Sequence, residues 1–305
     1  MWTVLVNQFN TYVKLFYMTH EQQQQSNFFT SPAELKQIAS SRPPELVSGF
    51  LPARGVAVLA GAPGTGKSFT ALSWAATVAE GGQWFGRTAR QAPVVYVLGE
   101  GWASFGSRVE AWETVNGRPM SEGIQFVNGA QQGIDLKDLN EVKRFITQLM
   151  SMSPGLIIFD TFSTLARVTS ENDNAEVAQV MSNVNAIVEA TGATVLLIHH
   201  LTKSTGSVRG ASAFVGNVDT VIIASRSTDK REEPDGSPST FLLSTDAYHG
   251  GKQRDGEPVT MRGFSIASPG VLARDSGTAK QGSNVDEVKQ KALAAVAANI
   301  TIKET

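Results

Sequence analysis

The sequence contains no cysteine among its 305 residues. Disulfide bonds, thiolate metal sites and cysteine nucleophiles are therefore excluded, and such a chain suits a reducing cytosol. Long hydrophobic runs are missing as well, since no apolar stretch approaches the roughly 20 residues that span a bilayer. The sequence therefore predicts a cytoplasmic protein without a membrane partner.

An excess of charge of either sign is also lacking. The 26 basic residues are offset by 28 acidic ones, which gives a net charge of -2. No overall basic field indicates nucleic acid or a membrane surface, so any contact with DNA must be local. Hydrophobic residues make up 41% and charged residues 18% of the chain, as in ordinary globular proteins. The length allows one large domain or two small ones.

The first 17 residues are apolar and aromatic, but we do not expect them to be a signal peptide. Asn7, Gln8 and Asn10 interrupt the apolar run, and no basic start precedes it. Two alternatives remain open. The segment packs on the main domain or on a neighbouring subunit, or it is an upstream extension of a protein whose natural start is Met18.

Composition predicts three parts along the chain. Residues 1–45 are expected to be a leader and linker, partly flexible because residues 21–27 are polar and rich in glutamine. Residues 46–274 are expected to form the core. Residues 275–305 are expected to be a flexible tail with a short alanine-rich helix over 285–298.

Short apolar runs alternate with amphipathic segments in the core, which predicts a parallel α/β sheet. The predicted strands are residues 56–60, 94–98, 124–127, 156–160, 194–200 and 220–224. The predicted helices are residues 68–80, 139–150 and 175–190. Two later strands, 240–244 and 259–267, have no helix between them and indicate an antiparallel edge.

A complete phosphate-binding loop lies between the first predicted strand and the first predicted helix. Its glycines let backbone N–H groups turn towards phosphates, Lys67 reaches the outer phosphates, and the Ser68 hydroxyl can bind Mg2+. An ordinary turn is the alternative, and the flanking strand and helix argue against it. The residues expected in the nucleotide site are Gly61, Ala62, Pro63, Gly64, Thr65, Gly66, Lys67, Ser68 and Phe69.

Two carboxylates follow predicted strands and are expected at the same edge of the sheet. Asp160 ends a buried strand two places from the phosphate-loop strand, where it can hold Mg2+ through Ser68 or water. Glu100 follows the strand over 94–98, which we expect to lie beside the phosphate-loop strand. Glu100 is therefore a candidate for polarising the attacking water.

Two adjacent histidines end another predicted strand. Because side chains alternate along a strand, at most one of His199 and His200 can face the nucleotide. A zinc site is disfavoured, since cysteine is missing and no further ligand lies at a suitable spacing. A hydrogen bond to the terminal phosphate, or to the attacking water, fits the pattern better.

With these residues in place, the chain resembles the RecA/DnaB superfamily of ring-forming or filament-forming ATPases, and most of all the RepA-type replicative helicases of plasmids and phages. The resemblance covers about residues 46–267. It implies a RecA-like core with a mainly parallel twisted sheet flanked by helices and an antiparallel extension near the C-terminus. It also implies ATP and Mg2+ as ligands, and a location in the cytoplasm of a bacterium or bacterial host.

The resemblance assigns roles to four further side chains. Glu100 would be the general base, and Asp160 would be the second acid beside Mg2+. His200 occupies the place of the phosphate sensor. Arg108, eight residues after Glu100, matches an arginine near the nucleotide base.

Two candidates match the arginine finger, the cation that a neighbouring subunit supplies. Arg209 matches the RepA-type pattern, whereas Lys252 and Arg254 resemble a Lys-x-Arg pair of the DnaB-type helicases. We favour Arg254 as the finger with Lys252 beside it. Arg209 is then a second finger or a DNA contact.

DNA contacts are implied for two loops. Lys203 and Arg209 lie in the loop that matches the second DNA-binding loop, and Arg167 begins the stretch that matches the first. The first loop also carries Glu171 and Asp173, which repel phosphate and weaken the expectation of strong binding there.

The resemblance implies a DNA-stimulated ATPase that works as a homo-oligomer, most often a hexamer, on single-stranded or forked DNA during replication. One alternative is a recombination ATPase that forms filaments. Another is a loader or regulator whose state is switched by nucleotide binding. A small-molecule kinase is disfavoured because the stretch after Asp160 shows no arginine-rich lid.

Overall fold

The structure is a computed structural model that describes residues 30–41, 43–170, 173–201, 212–226, 240–267 and 270–274. Most of the predicted leader, the predicted tail, and the sites Lys203 and Arg209 lie outside the described residues. The chain divides into two units, residues 1–43 and 44–305. Within the described part of the chain, no helix has the length and apolar character of a membrane span.

The first unit contains helix α1, Pro32–Ser40. Its start is a capping box, in which the Ser31 hydroxyl accepts from the backbone N–H of Glu34 and the Glu34 carboxylate accepts from the backbone N–H of Ser31. None of the residues of this helix is buried.

The second unit combines a large sheet with helices. Its strands are β1 (Gly55–Gly61), β2 (Gly82–Trp84), β3 (Arg87–Ala89), β4 (Val94–Leu98), β5 (Ile124–Asn128), β6 (Leu156–Asp160), β7 (Thr194–His200), β8 (Thr220–Arg226), β9 (Phe241–Ser244), β10 (Lys252–Gln253), β11 (Thr260–Ala267) and β12 (Val271–Arg274). Its helices are α2 (Lys67–Glu80), α3 (Trp102–Asn116), α4 (Leu139–Met150), α5 (Phe162–Ala166), α6 (Asn174–Thr191) and α7 (Ser212–Gly216).

The main sheet has the strand order β12-β11-β9-β8-β1-β7-β6-β4-β5, with β10 paired to β8. Strands β8 to β5 in this order are parallel, and β9, β11 and β12 are antiparallel to their neighbours. The mainly parallel sheet with an antiparallel extension confirms the fold class predicted from the sequence.

The core lies on both faces of the sheet. Along β1, Ala57 and Leu59 belong to one buried cluster, while Val56, Val58 and Ala60 belong to the other. This alternation follows from the two-residue period of a strand. Strands buried on both faces carry continuous apolar sequence, which is why the parallel strands are visible in the sequence.

A small hairpin, β2–β3, packs on the face of the sheet that carries Ala57 and Leu59. Its Trp84 ring lies 5.5 Å from Phe50, 5.3 Å from Trp74 and 5.5 Å from Phe264 (ring centroids). These contacts join the hairpin to α2 and to the antiparallel extension. The extension is thus packed into the same core as the phosphate-loop helix.

Candidate nucleotide site

The phosphate loop connects β1 to α2 and is held by close packing at two glycines. A Cβ atom on Gly61 would stand 2.5 Å from both the Thr65 hydroxyl and the Ala224 carbonyl oxygen. Gly66 has a φ of 71°, and a Cβ there would stand 2.6 Å from the Phe241 ring. Glycine is therefore required at both positions. Gly66 also leaves α2 without a side-chain cap, so its first N–H groups remain available to an anion.

Lys67 is the first residue of α2 and is buried. Its ammonium donates to the carbonyl oxygens of Gly61 at 2.9 Å and Ala62 at 3.0 Å. Burial lowers the pKa of Lys67, and the nearby charge of Asp160 opposes that shift. The side chain is thus already folded back over the loop in which a phosphate would bind.

Asp160 ends β6 and is almost fully buried, with 4% of its surface exposed. One carboxylate oxygen accepts a hydrogen bond of 2.8 Å from the Tyr96 hydroxyl on the neighbouring strand β4. Burial, followed by the charge of Asp160, raises the pKa of Tyr96 well above its ordinary value. Tyr96 therefore stays protonated and is the donor in this pair.

A cavity of about 490 Å³ opens at the carboxyl end of the parallel strands. It brings together most of the side chains that the sequence assigned to the nucleotide. The predicted residues that line it are Pro63, Gly64, Gly66, Lys67, Ser68, Phe69, Glu100, Arg108, Asp160 and His200. Residues from four separate segments of the chain therefore share one concave site.

Glu100 lines this cavity, but the strand before it is not where we expected it. The neighbours of β1 are β7 and β8, and β4 is the third strand away, beyond β7 and β6. The expectation that the Glu100 strand lies beside the phosphate-loop strand is therefore wrong. Asp160 does lie two strands from β1, as predicted.

Arg108 lies on α3 against two aromatic rings. Its guanidinium carbon is 4.8 Å from the Phe69 ring centre and 5.3 Å from the Phe105 ring centre. All three side chains line the cavity. Planar and cationic groups of this kind can stack on a nucleotide base.

The two histidines at the end of β7 face opposite sides of the sheet. His199 is fully buried, with ring centres 5.1 Å from Phe162 and 5.0 Å from Phe214. His200 lines the cavity instead. The alternation therefore leaves one histidine for the ligand, as its strand position predicted.

Lys252 and Arg254 lie away from the cavity, near the amino end of β8. Lys252 pairs with Val221 in the sheet, and its ammonium donates to the carbonyl oxygens of Val215 at 3.0 Å and Val218 at 2.7 Å. Burial, followed by the charge of Arg254, lowers the pKa of Lys252. The pair is separated from the phosphate loop by roughly 10 Å or more along the strand.

Arg254 contacts the segment just before β8. Its guanidinium donates to Asp219 at 2.6 Å, and the other Asp219 oxygen accepts from the backbone N–H of Val56 at 2.9 Å. Asp219 therefore joins Arg254 to the first residues of the phosphate-loop strand.

Of the three predicted DNA contacts, only Arg167 falls within the described residues, where it is exposed directly after α5. Asp173, one of the two acids noted nearby, caps α6 by accepting from the N–H groups of Ala175 and Glu176. Its carboxylate therefore serves as the N-cap of this helix.

Two residues near the site were missed in the sequence. Tyr96 is hidden within an apolar strand, and its partner Asp160 is 64 positions away. Arg226, at the end of β8, places a guanidinium nitrogen 3.9 Å from where a Cβ on Gly64 would stand. It does not line the cavity, and a lone arginine at a strand end carries no sequence signal.

Comparison with known proteins agrees with this geometry. The AAA domain family matches residues 22–206, about three fifths of the chain. The chain belongs to the AAA domain family. The family and the site support nucleotide binding and ATPase activity in a P-loop protein.

A solved structure shares the fold of this AAA domain protein at low identity. The ATPase domain of the G40 protein is 13% identical with a TM-score of 0.55, over 76% of this chain and 92% of that one. A KaiC-like protein from the hyperthermophilic archaeon Pyrococcus horikoshii OT3 is 18% identical with a TM-score of 0.48, over 74% and 93%. No curated protein matches the sequence.

Proposed function

We propose that the protein is an ATP-driven DNA motor that works as a homo-oligomeric ring, in the manner of the RepA-type replicative helicases. The observation that carries this proposal is the division of the predicted catalytic groups. Three of them, Lys67, Glu100 and His200, line one cavity, while Lys252 and Arg254 lie near the other end of β8. A chain arranged in this way holds a nearly complete nucleotide site and can offer a cation to another chain.

Within one chain, the cavity supplies the groups that hydrolysis needs. The Ser68 hydroxyl and the Asp160 carboxylate are oxygen ligands of the kind that Mg2+ prefers, so they fit that ion, directly or through water. Mg2+ would supply charge neutralisation on the phosphates. Lys67 binds the outer phosphates, Glu100 orients and polarises water, and His200 contacts the terminal phosphate.

Between chains, Arg254 completes the site. It is too far along β8 to serve its own phosphate loop, but a head-to-tail contact presents it to a neighbour. Contacts of this type close into a ring or continue as a filament. We favour the ring, with Arg167, Lys203 and Arg209 on the loops that contact single-stranded or forked DNA.

The test is ATP turnover with and without single-stranded DNA, for the wild type and for Lys67→Ala. We expect DNA to stimulate the wild type and Lys67→Ala to lose activity by about a hundredfold or more, because the cation on the transferred phosphate is removed. Lys143→Ala, an exposed lysine on α4, is the matched control and should retain wild-type turnover. A monomer whose turnover ignores DNA would refute the motor.

Assembly is tested by native mass measurement with an ATP analogue and single-stranded DNA, followed by electron microscopy. Closed rings with unwinding of a forked duplex support the helicase-like motor. Filaments on single-stranded DNA would instead support a recombination ATPase. Nucleotide-dependent partner binding with negligible turnover would support a loader or regulator.

A further inference from the structure

Tyr96 is buried beside the nucleotide cavity and contacts a residue of the proposed magnesium site. It pairs with Ile158 in the sheet, so Asp160, two residues further along β6, lies diagonally from it on the same face. The ring extends along this diagonal, and its hydroxyl lies 2.8 Å from Asp160 Oδ2. Both side chains are shielded from water, since Tyr96 has 0% and Asp160 has 4% of its surface exposed.

The chemistry of the pair fixes the direction of the hydrogen bond. An ionised carboxylate can only accept, so the phenol donates. The bond engages one carboxylate oxygen and leaves the other for a ligand in the cavity. A hydrogen bond to a charged group in a buried place is among the stronger kinds, and its loss leaves a largely buried carboxylate oxygen without that donor.

The Tyr96 ring is itself held in place. Its centre lies 5.1 Å from Phe105 and 5.8 Å from Phe126, which fill the space on its flanks. Phe105 in turn contacts Arg108. A ring packed in this way cannot follow a rotating carboxylate, so the hydroxyl acts as a fixed point for it.

We propose that Tyr96 is a positioning residue that holds the Asp160 carboxylate in the orientation that binds magnesium, directly or through water. The proposal rests on the proposed function, since it assumes that Asp160 serves Mg2+. The competing explanation is purely structural: a buried tyrosine needs a partner for its hydroxyl, and Asp160 happens to be that partner.

The experiment is an Mg2+ titration of fluorescent ADP binding to wild-type protein and to Tyr96→Phe, with a parallel measurement in EDTA. We expect Tyr96→Phe to raise the half-saturating Mg2+ concentration about tenfold, as the loss of a charged hydrogen bond implies. Affinity for ADP in EDTA should not change, because the phosphate loop is intact. ATP turnover at saturating nucleotide and limiting Mg2+ should fall in parallel.

Two further variants separate positioning from packing. Phe126→Leu disturbs the same aromatic cluster without removing a hydroxyl, and it should leave the Mg2+ dependence within about twofold of wild type. In an Asp160→Asn background, adding Tyr96→Phe should have no further effect on Mg2+ dependence. A shift in Phe126→Leu equal to that in Tyr96→Phe would overturn the proposal.

Failure of the positioning role differs from failure of the proposed function. A normal magnesium response in the wild type, with no change in Tyr96→Phe, overturns the role of Tyr96 alone. Loss of any magnesium effect on nucleotide binding in the wild type overturns the proposed site, and the role of Tyr96 with it.

Discussion

The charged side chains at the carboxyl end of the parallel strands have different surroundings from those at the amino end of β8. At the carboxyl end, Lys67, Glu100, Arg108 and Asp160 all border one open cavity. At the amino end of β8, Arg254 is already paired with acceptors of its own chain. The charged groups of the first region therefore border a cavity that a ligand can enter, whereas Arg254 in the second region binds a side chain of its own chain.

The difference shows what a second chain would have to do. For Arg254 to reach a neighbour's phosphate, it must exchange Asp219 for that phosphate. Half of the Arg254 side chain is exposed, so the exchange breaks an ion pair that water already weakens. The resting contact is therefore a weak barrier to the proposed role.

The largest effect should come from removing the cation that the amino end of β8 would supply to a neighbouring chain. Arg254→Ala is expected to lower ATP turnover about a thousandfold or more if the residue is the finger. Mixing this variant with Lys67→Ala should restore activity, because one chain supplies the intact phosphate loop and the other supplies the arginine. With random assembly, about a quarter of the sites would be complete.

The control for this mixing experiment is Arg262→Ala, an exposed arginine on β11 that should retain full activity. Failure of the mixture to regain turnover, in oligomers shown to contain both chains, would contradict Arg254 as a finger supplied in trans. Arg209 would then be the remaining finger candidate.

A second, smaller effect tests the cavity at the carboxyl end of the parallel strands alone. Glu100→Gln keeps the size of the side chain but removes its ability to accept a proton, so turnover should fall about a hundredfold or more. Nucleotide affinity should remain within a few-fold of wild type, measured by fluorescent ADP binding. Glu110→Gln, on the exposed face of α3, is the matched control. Unchanged turnover in Glu100→Gln would remove it as the base.

The smallest effect concerns stability at the amino end of β8. Asp219→Ala should lower the free energy of unfolding by about 1–3 kcal/mol, because the N–H of Val56 loses its acceptor as well as the ion pair. Arg254→Ala should cost under about 1 kcal/mol, since its pair is half exposed. Urea denaturation of both variants decides the order. Equal losses would mean that the bond to Val56 contributes nothing.

The parallel sheet was predictable because burial on both faces leaves continuous apolar runs. Strands β4, β6 and β7 have the predicted bounds. Their spatial order could not be predicted in the same way, because periodicity reports burial and not which strand is the neighbour. This is why β4 was placed next to β1, although two strands lie between them.

Helices with weak boundaries were missed. The start of α3 follows Gly101 in a left-handed conformation with no side-chain cap, so no capping residue announced it. Helix α1 does carry a capping box at Ser31 and Glu34, and that signal could have found it. The short β2–β3 hairpin forms against the aromatic core, which sequence spacing does not reveal.

The part of the site that lies in a sequence motif was predictable. The part that depends on contact between residues distant in the sequence was not. The loop residues and Asp160 carry their own pattern, whereas the bond between Tyr96 and Asp160 exists only through strand pairing. The spatial separation of Arg254 from the cavity likewise depends on the register of β10 with β8.

The contact between Gly66 and Phe241 sets a lower limit on the size of a working fragment. Phe241 and Ile266 belong to the antiparallel extension, yet both would touch a Cβ at the last glycine of the phosphate loop. A chain shortened after β8 would keep the cavity's motif residues and lose the wall behind the loop. The extension therefore cannot be exchanged as a separate module, and homologous swaps at this end of the molecule must carry β9 and β11 together with the loop they support.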